Sequence, residues 1–163
     1  MTLSLEDYLE RNIRWLEDAV QTVAADKDLK PMFAFETAEA TVVVPPTIDD
    51  KDLMVAVFRG IARAADAERY AIIFAAWYVR LEEHDKDAGK TIIDREGTGG
   101  VYKDRRSECY TISVGDREKS LLAVFDVHRD YKGKIRRLER RPSPRPQDFV
   151  HGRMMDLLVE ARH

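Results

Sequence analysis

The run Tyr70-Ala71-Ile72-Ile73-Phe74-Ala75-Ala76-Trp77-Tyr78-Val79 decides the fold of this chain. Its apolar character does not alternate, as it would in a strand with one wet face. A strand of this kind is apolar on both sides, which places it in the middle of a sheet with cover on each face. Residues 70–80 are therefore expected to form the central strand of one domain, and the elements on either side must supply its neighbours and its cover.

Upstream, Leu5, Leu9, Ile13, Leu16, Val20 and Val23 recur at spacings of three and four, which predicts an amphipathic helix over 4–25. Ser4 can cap it, with Asp7 three residues on, and Leu3 and Tyr8 stand where a hydrophobic staple would be. Trp15 falls off the apolar stripe and reads as a contact with another chain. Residues 31–36 and 39–44 read as two strands turning at Thr37-Ala38, the second ended by Pro45-Pro46. A second helix is expected over 49–66, on Leu53, Val57, Ile61 and Ala65, capped by Thr47 or Asp49.

Downstream, residues 81–107 are charged, contain Gly97-Thr98-Gly99-Gly100 and have no period, so they read as a long loop. The glycine cluster matches neither a P-loop nor a dinucleotide fingerprint and reads as a hinge. Residues 108–141 predict an antiparallel meander turning at Gly115-Asp116-Arg117-Glu118 and again before Lys134. Pairing Val114 with Lys119 puts Tyr110, Ile112, Val114, Leu121, Ala123, Phe125 and Val127 on one face, expected to meet the helices. Pro142 to Pro146 reads as a stiff linker to a last helix over 148–161, packed on the domain or on a partner chain. Strands and helices are partly segregated along the chain, so the expected class is α+β: a hairpin, a central strand and a three-stranded meander, with helices packed on the sheet.

Composition limits the function. The chain has 163 residues, 44% hydrophobic and 35% charged, which is one domain's worth with a real core. The N-terminus lacks the basic and apolar regions of a signal peptide, and no transmembrane stretch fits, so a cytoplasmic protein without membrane contact is expected. The single cysteine, Cys109, rules out an internal disulfide and any zinc site built on several cysteines, and it reads as a small core residue. No cofactor motif is present, so no cofactor is expected.

Three groups of residues could carry function. Asp126, His128 and Asp130 alternate along one expected strand and share a face, the pattern of a metal site or an acid–base pair in a hydrolase-type enzyme. The same pattern fits a solvated face of cross-strand ion pairs, with Arg105 opposite His128, Lys103 opposite Asp130 and Arg137 opposite Asp126. Trp77, Tyr78 and His84, with Asp85 and Asp87 beyond, lie where the central strand enters the long loop, a place where ligands bind. The basic side chains of Lys132, Lys134, Arg136, Arg137, Arg140, Arg141 and Arg145 could follow a nucleic-acid backbone, or guard a sheet edge. Residues 132–153 hold eight Lys/Arg against two acids, whereas residues 1–50 hold eleven acids against four Lys/Arg.

Ala75-Ala76-Trp77-Tyr78-Val79, Asp104-Arg105-Arg106-Ser107-Glu108 and Gly115-Asp116-Arg117-Glu118 together resemble a group of uncharacterised bacterial α+β proteins, over residues 60–141. The resemblance implies the order of elements and no activity; the loop here is longer and richer in glycine than in that group. The leading expectation is a non-catalytic binding module that self-associates as a homodimer or joins another protein. A nucleic-acid-associated protein comes second and a metal-dependent enzyme third.

Overall fold

The computed structural model describes residues 3–45, 50–78 and 107–142. Helix α1 spans Leu5–Val20. Ser4 is its N-cap, with its hydroxyl oxygen accepting from the Asp7 N–H at 3.0 Å, and Glu6 and Asp7 complement the positive end of the helix dipole. The helix stops short of residue 25; Val23 is buried beyond its end, and Asp26 adopts a positive φ of 59°. The hairpin strands are β1 (Met32–Glu36) and β2 (Thr41–Val44), joined by a turn whose Thr37 N–H donates to the Ala40 carbonyl at 2.9 Å.

Helix α2 spans Lys51–Ala64 and is capped by Asp50, whose carboxylate accepts from the Leu53 N–H at 2.9 Å. The expected caps Thr47 and Asp49 thus give way to the next acid in the sequence. Its other end is a Schellman turn: Asp66 has a φ of 49°, the Ala67 N–H donates to the Ala62 carbonyl and the Asp66 N–H to that of Arg63. Strand β3 follows at Arg69–Tyr78, then β4 (Ser107–Gly115), β5 (Ser120–Arg129) and β6 (Ile135–Arg140). The six strands among the described residues form one sheet in the order β2-β1-β3-β4-β5-β6, with every neighbouring pair antiparallel. The expected α+β class and the central place of the 70–80 strand both hold. The loop 81–106, with its glycine cluster, and the linker and helix expected from residue 143 onward lie outside the described residues.

Two expectations are corrected. The first concerns the helices. Of the two helices described, the meander face with Tyr110, Ile112, Val114, Ala123 and Phe125 meets α1, through Leu5, Tyr8, Leu9, Ile13, Leu16 and Val20. Helix α2 packs on the opposite face, where Phe58 and Ala62 join Phe33, Phe35, Tyr70 and Ile72. The reason is already in β3: Ala71 and Ile73 point one way, Tyr70 and Ile72 the other, and each row needs its own cover.

The second correction is to register. Val114 pairs with Leu121, two residues beyond the expected Lys119, and Gly115 pairs with Ser120. The Asp116 carboxylate accepts from the N–H groups of Glu118 and Lys119 at 2.8 Å, which moves the turn one residue along the chain. A shift of two leaves every side chain on its expected face and changes its cross-strand partner. Gly115 is needed where it stands, because a Cβ there would meet the Tyr70 ring at 2.4 Å.

Candidate functional site

The face of β5 turned away from α1 carries Asp126 and His128, as their alternation predicts. Each is held by a partner within the fold. Asp126 accepts from the Arg141 Nε–H at 2.8 Å, and the Arg141 N–H in turn donates to the Val124 carbonyl at 2.8 Å. His128 Nε2 lies 2.9 Å from Glu139 Oε2, and Arg137 reaches the same carboxylate at 3.4 Å. Across the β5–β6 ladder Asp126 faces Glu139 and His128 faces Arg137, so the expected pairing of Arg137 with Asp126 is off by one alternate position. Arg105 and Lys103 lie outside the described residues.

Asp130 does not join them. Strand β5 ends at Arg129, with a bulge between His128 and Arg129. Asp130 therefore sits in the turn to β6, where its carboxylate accepts from the N–H groups of Lys132 at 2.9 Å and Lys134 at 3.0 Å. It shapes a turn. Gly133 completes that turn at a φ of 81°, packed so close to Asp26 that a Cβ would meet its carboxylate at 2.0 Å. The expected three-residue constellation is an ion-paired carboxylate, an imidazole hydrogen-bonded to Glu139 and a turn residue. Among the described residues, no cluster of three or more His, Cys, Asp or Glu side chains is arranged to hold a metal ion.

Cys109 faces Asp126 across the β4–β5 ladder and is buried. Burial, and then the nearby Asp126 charge, push its thiol up to about 11, so it is protonated at neutral pH and a poor nucleophile. Trp77 and Tyr78 end β3, opposite Glu108 and Ser107 of β4. Their side chains, and His84, Asp85 and Asp87, lie outside what the structure describes.

The basic stretch divides. Arg140 pairs with Glu10 of α1 at 2.7 Å, Arg141 with Asp126 and Arg137 with Glu139. Lys132, Lys134 and Arg136 are exposed around the β5–β6 turn, beside Tyr131, which is 92% exposed. The Lys132 ammonium lies 5.5 Å from the centre of the Tyr131 ring. Arg145 lies outside the described residues.

The densest polar network is one that sequence reasoning missed. Arg129 donates through Nε to both Glu108 oxygens, through Nη1 to the Gly133 carbonyl at 2.8 Å, and through Nη2 to Asp28 at 2.8 Å and the Lys27 carbonyl at 3.1 Å. Nη2 also reaches Glu108. Tyr110 accepts from the Leu29 N–H at 2.8 Å with Asp28 alongside. The Arg129 hydrogen bonds hold the Glu108 carboxyl below its ordinary range, whereas burial and the neighbouring Glu108 push Asp28 up. Every guanidinium nitrogen has a partner in the fold, so this cluster ties the segment after α1 to the sheet. The available signal was parity: Glu108 and Arg129 continue the α1-facing rows of their strands, two charges at the end of otherwise apolar rows.

Comparison with family models, with curated proteins and with solved structures finds no match to this chain.

Proposed function

We propose that this chain is a non-catalytic binding module that acts by self-association. One observation carries the reading: among the described residues, the side chains that could do chemistry are engaged inside the fold, while large apolar side chains stand at the surface. Asp126 holds an ion pair, His128 a hydrogen bond to Glu139 and Asp130 a turn, and Cys109 is buried and protonated. Trp15, Val42, Val43 and Leu53 are exposed, with Trp15 at 44% and Val43 at 59%. An uncharged edge strand with exposed apolar side chains, as at Val42 and Val43, is a ready template for pairing with another chain. The reading is tested by sedimentation of the full chain over a wide concentration range. A mass that rises with concentration is expected; a monomer at the highest soluble concentration overturns it. Metal analysis of wild type, Asp126→Ala and His128→Ala tests the enzymatic alternative, with no bound metal expected in any of them.

A second reading rests on the β5–β6 turn. An exposed aromatic ring among basic side chains is what base stacking on single-stranded nucleic acid requires. Tyr131 with Lys132, Lys134 and Arg136 offers that combination. Binding to single-stranded RNA that falls steeply with salt and weakens in Tyr131→Ala is the expected result; no retention at low salt overturns it.

A further inference from the structure

The two edges of the sheet differ in kind. Strand β6 carries Arg136, Arg137, Glu139 and Arg140, charges of the sort that discourage edge-to-edge pairing. Strand β2 is Thr41-Val42-Val43-Val44, with no charge, and it is the other edge among the described residues. Thr41, Val42 and Val43 are all exposed. Hydrogen-bonded pairs alternate along an antiparallel ladder. Since the Thr37 N–H bonds the Ala40 carbonyl, the Phe35–Val42 and Phe33–Val44 pairs exchange the ladder bonds of this hairpin. Thr41 and Val43 therefore turn their N–H and carbonyl groups outward. The next position in that series, Pro45, has no N–H to offer.

We infer that β2 is the self-association edge: two copies of this chain pair β2 with β2, antiparallel, about a two-fold axis at Val42. This rests on the self-association reading and names its surface. In that register Thr41 lies opposite Val43 of the second copy, so both outward N–H groups and both outward carbonyls of each chain are used. A register centred on Val43 would place Thr41 opposite Pro45 and lose a donor. A second copy fits better than a foreign strand because β2 is self-complementary. Its residues are all β-branched, its pairing sets no charge against a like charge, and Glu39 would lie opposite Pro45. Trp15 adds apolar surface on the same side: Arg11, one helical turn before it, reaches Glu36 of β1, and Val43 stands beside Ala34 on that face of the sheet. A strand of four residues is short, so the contact belongs at the small end of specific interfaces and the dimer should dissociate on dilution.

The test compares wild type, Val43→Lys and Val43→Pro by sedimentation velocity, with circular dichroism to report folding. Val43 has an exposed side chain and an outward N–H, so neither substitution touches its ladder with β1. A dimer dissociation constant raised about 10-fold or more is expected in both: Val43→Pro removes one interfacial N–H from each chain, and Val43→Lys places charge on the paired edge, as natural sheet edges do to discourage pairing. Arg137→Thr on the opposite edge is expected to leave it unchanged. Val42→Cys supplies an independent readout. At the two-fold, two such residues form a non-hydrogen-bonded pair close enough for a disulfide. Oxidation is expected to give a covalent dimer with Val42→Cys and not with Val44→Cys, and native Cys109 is buried out of the way. A wild-type dimer that neither Val43 variant weakens and Val42→Cys does not cross-link overturns the β2 assignment and leaves self-association standing. A monomer at every concentration overturns both.

Discussion

At the scale of single residues, the Arg129 cluster serves the fold. Arg129 sits between Glu108 and Asp28 with about four-fifths of its side chain out of solvent. Arg129→Leu would leave two half-buried carboxylates without their cation, and a loss of about 2–3 kcal/mol in a urea titration is expected. The two carboxylates respond oppositely to pH. Glu108 is held below its ordinary 4.5, so its contribution is present above that pH and fades as acid protonates it. The stability gap between wild type and Glu108→Gln should therefore shrink as pH falls below about 4.5. Asp28 is raised above its ordinary 3.8, so its contribution is present below that pH and lost as pH rises through the shifted value. Asp28→Asn is expected to match or exceed wild type at neutral pH, with any advantage vanishing in acid. Thermal melts across the acid range check both signs.

At the scale of elements, two of the three described residues at positive φ, Asp66 and Gly133, make opposite cases. Asp66 closes α2 in a left-handed conformation that glycine adopts at lower cost. Asp66→Gly should stabilise the protein by about 0.5–1 kcal/mol, because the ion pair it gives up, with Arg117, is exposed and worth little. Gly133 is the converse case. Gly133→Ala adds strain at φ 81° and drives a methyl group into Asp26, so a loss of about 2 kcal/mol or more is expected from chemical denaturation. A helix cap and a hairpin turn look alike in sequence; what separates these two sites is the Asp26 carboxylate already packed against one of them.

At the scale of the whole molecule, one sheet separates two cores. Helix α1 closes the larger, over β3 to β6, and α2 closes the smaller, over β1 and β3. Phe58 stacks on Phe33 with ring centres 3.9 Å apart and is the large aromatic that α2 brings to the smaller core. Phe58→Ala should cost about 3–4 kcal/mol. Native-state hydrogen exchange should then show protection falling first in α2 and β2, with α1 keeping most of its own. Equal loss in α1 would show that the two cores melt as one.

The amino-acid sequence by itself determined the elements, their order and the central place of β3. Those follow from local signals: the three-and-four spacing of Leu5 to Val20, the capping oxygen of Ser4 and the unbroken apolar run from residue 70. Alternation likewise placed Asp126 and His128 together on one face. Only the tertiary structure decided which partners those side chains meet, which helix covers which face, and that Arg129 joins residues a hundred positions apart. A two-residue shift of register keeps every side chain on its face, so hydrophobic pattern cannot detect it; the Asp116 turn sets it. Which edge of the sheet is left uncharged was also invisible until the strand order was known. The strand that decides the fold lies at the centre, and the inferred contact lies two strands away, where backbone groups still face outward.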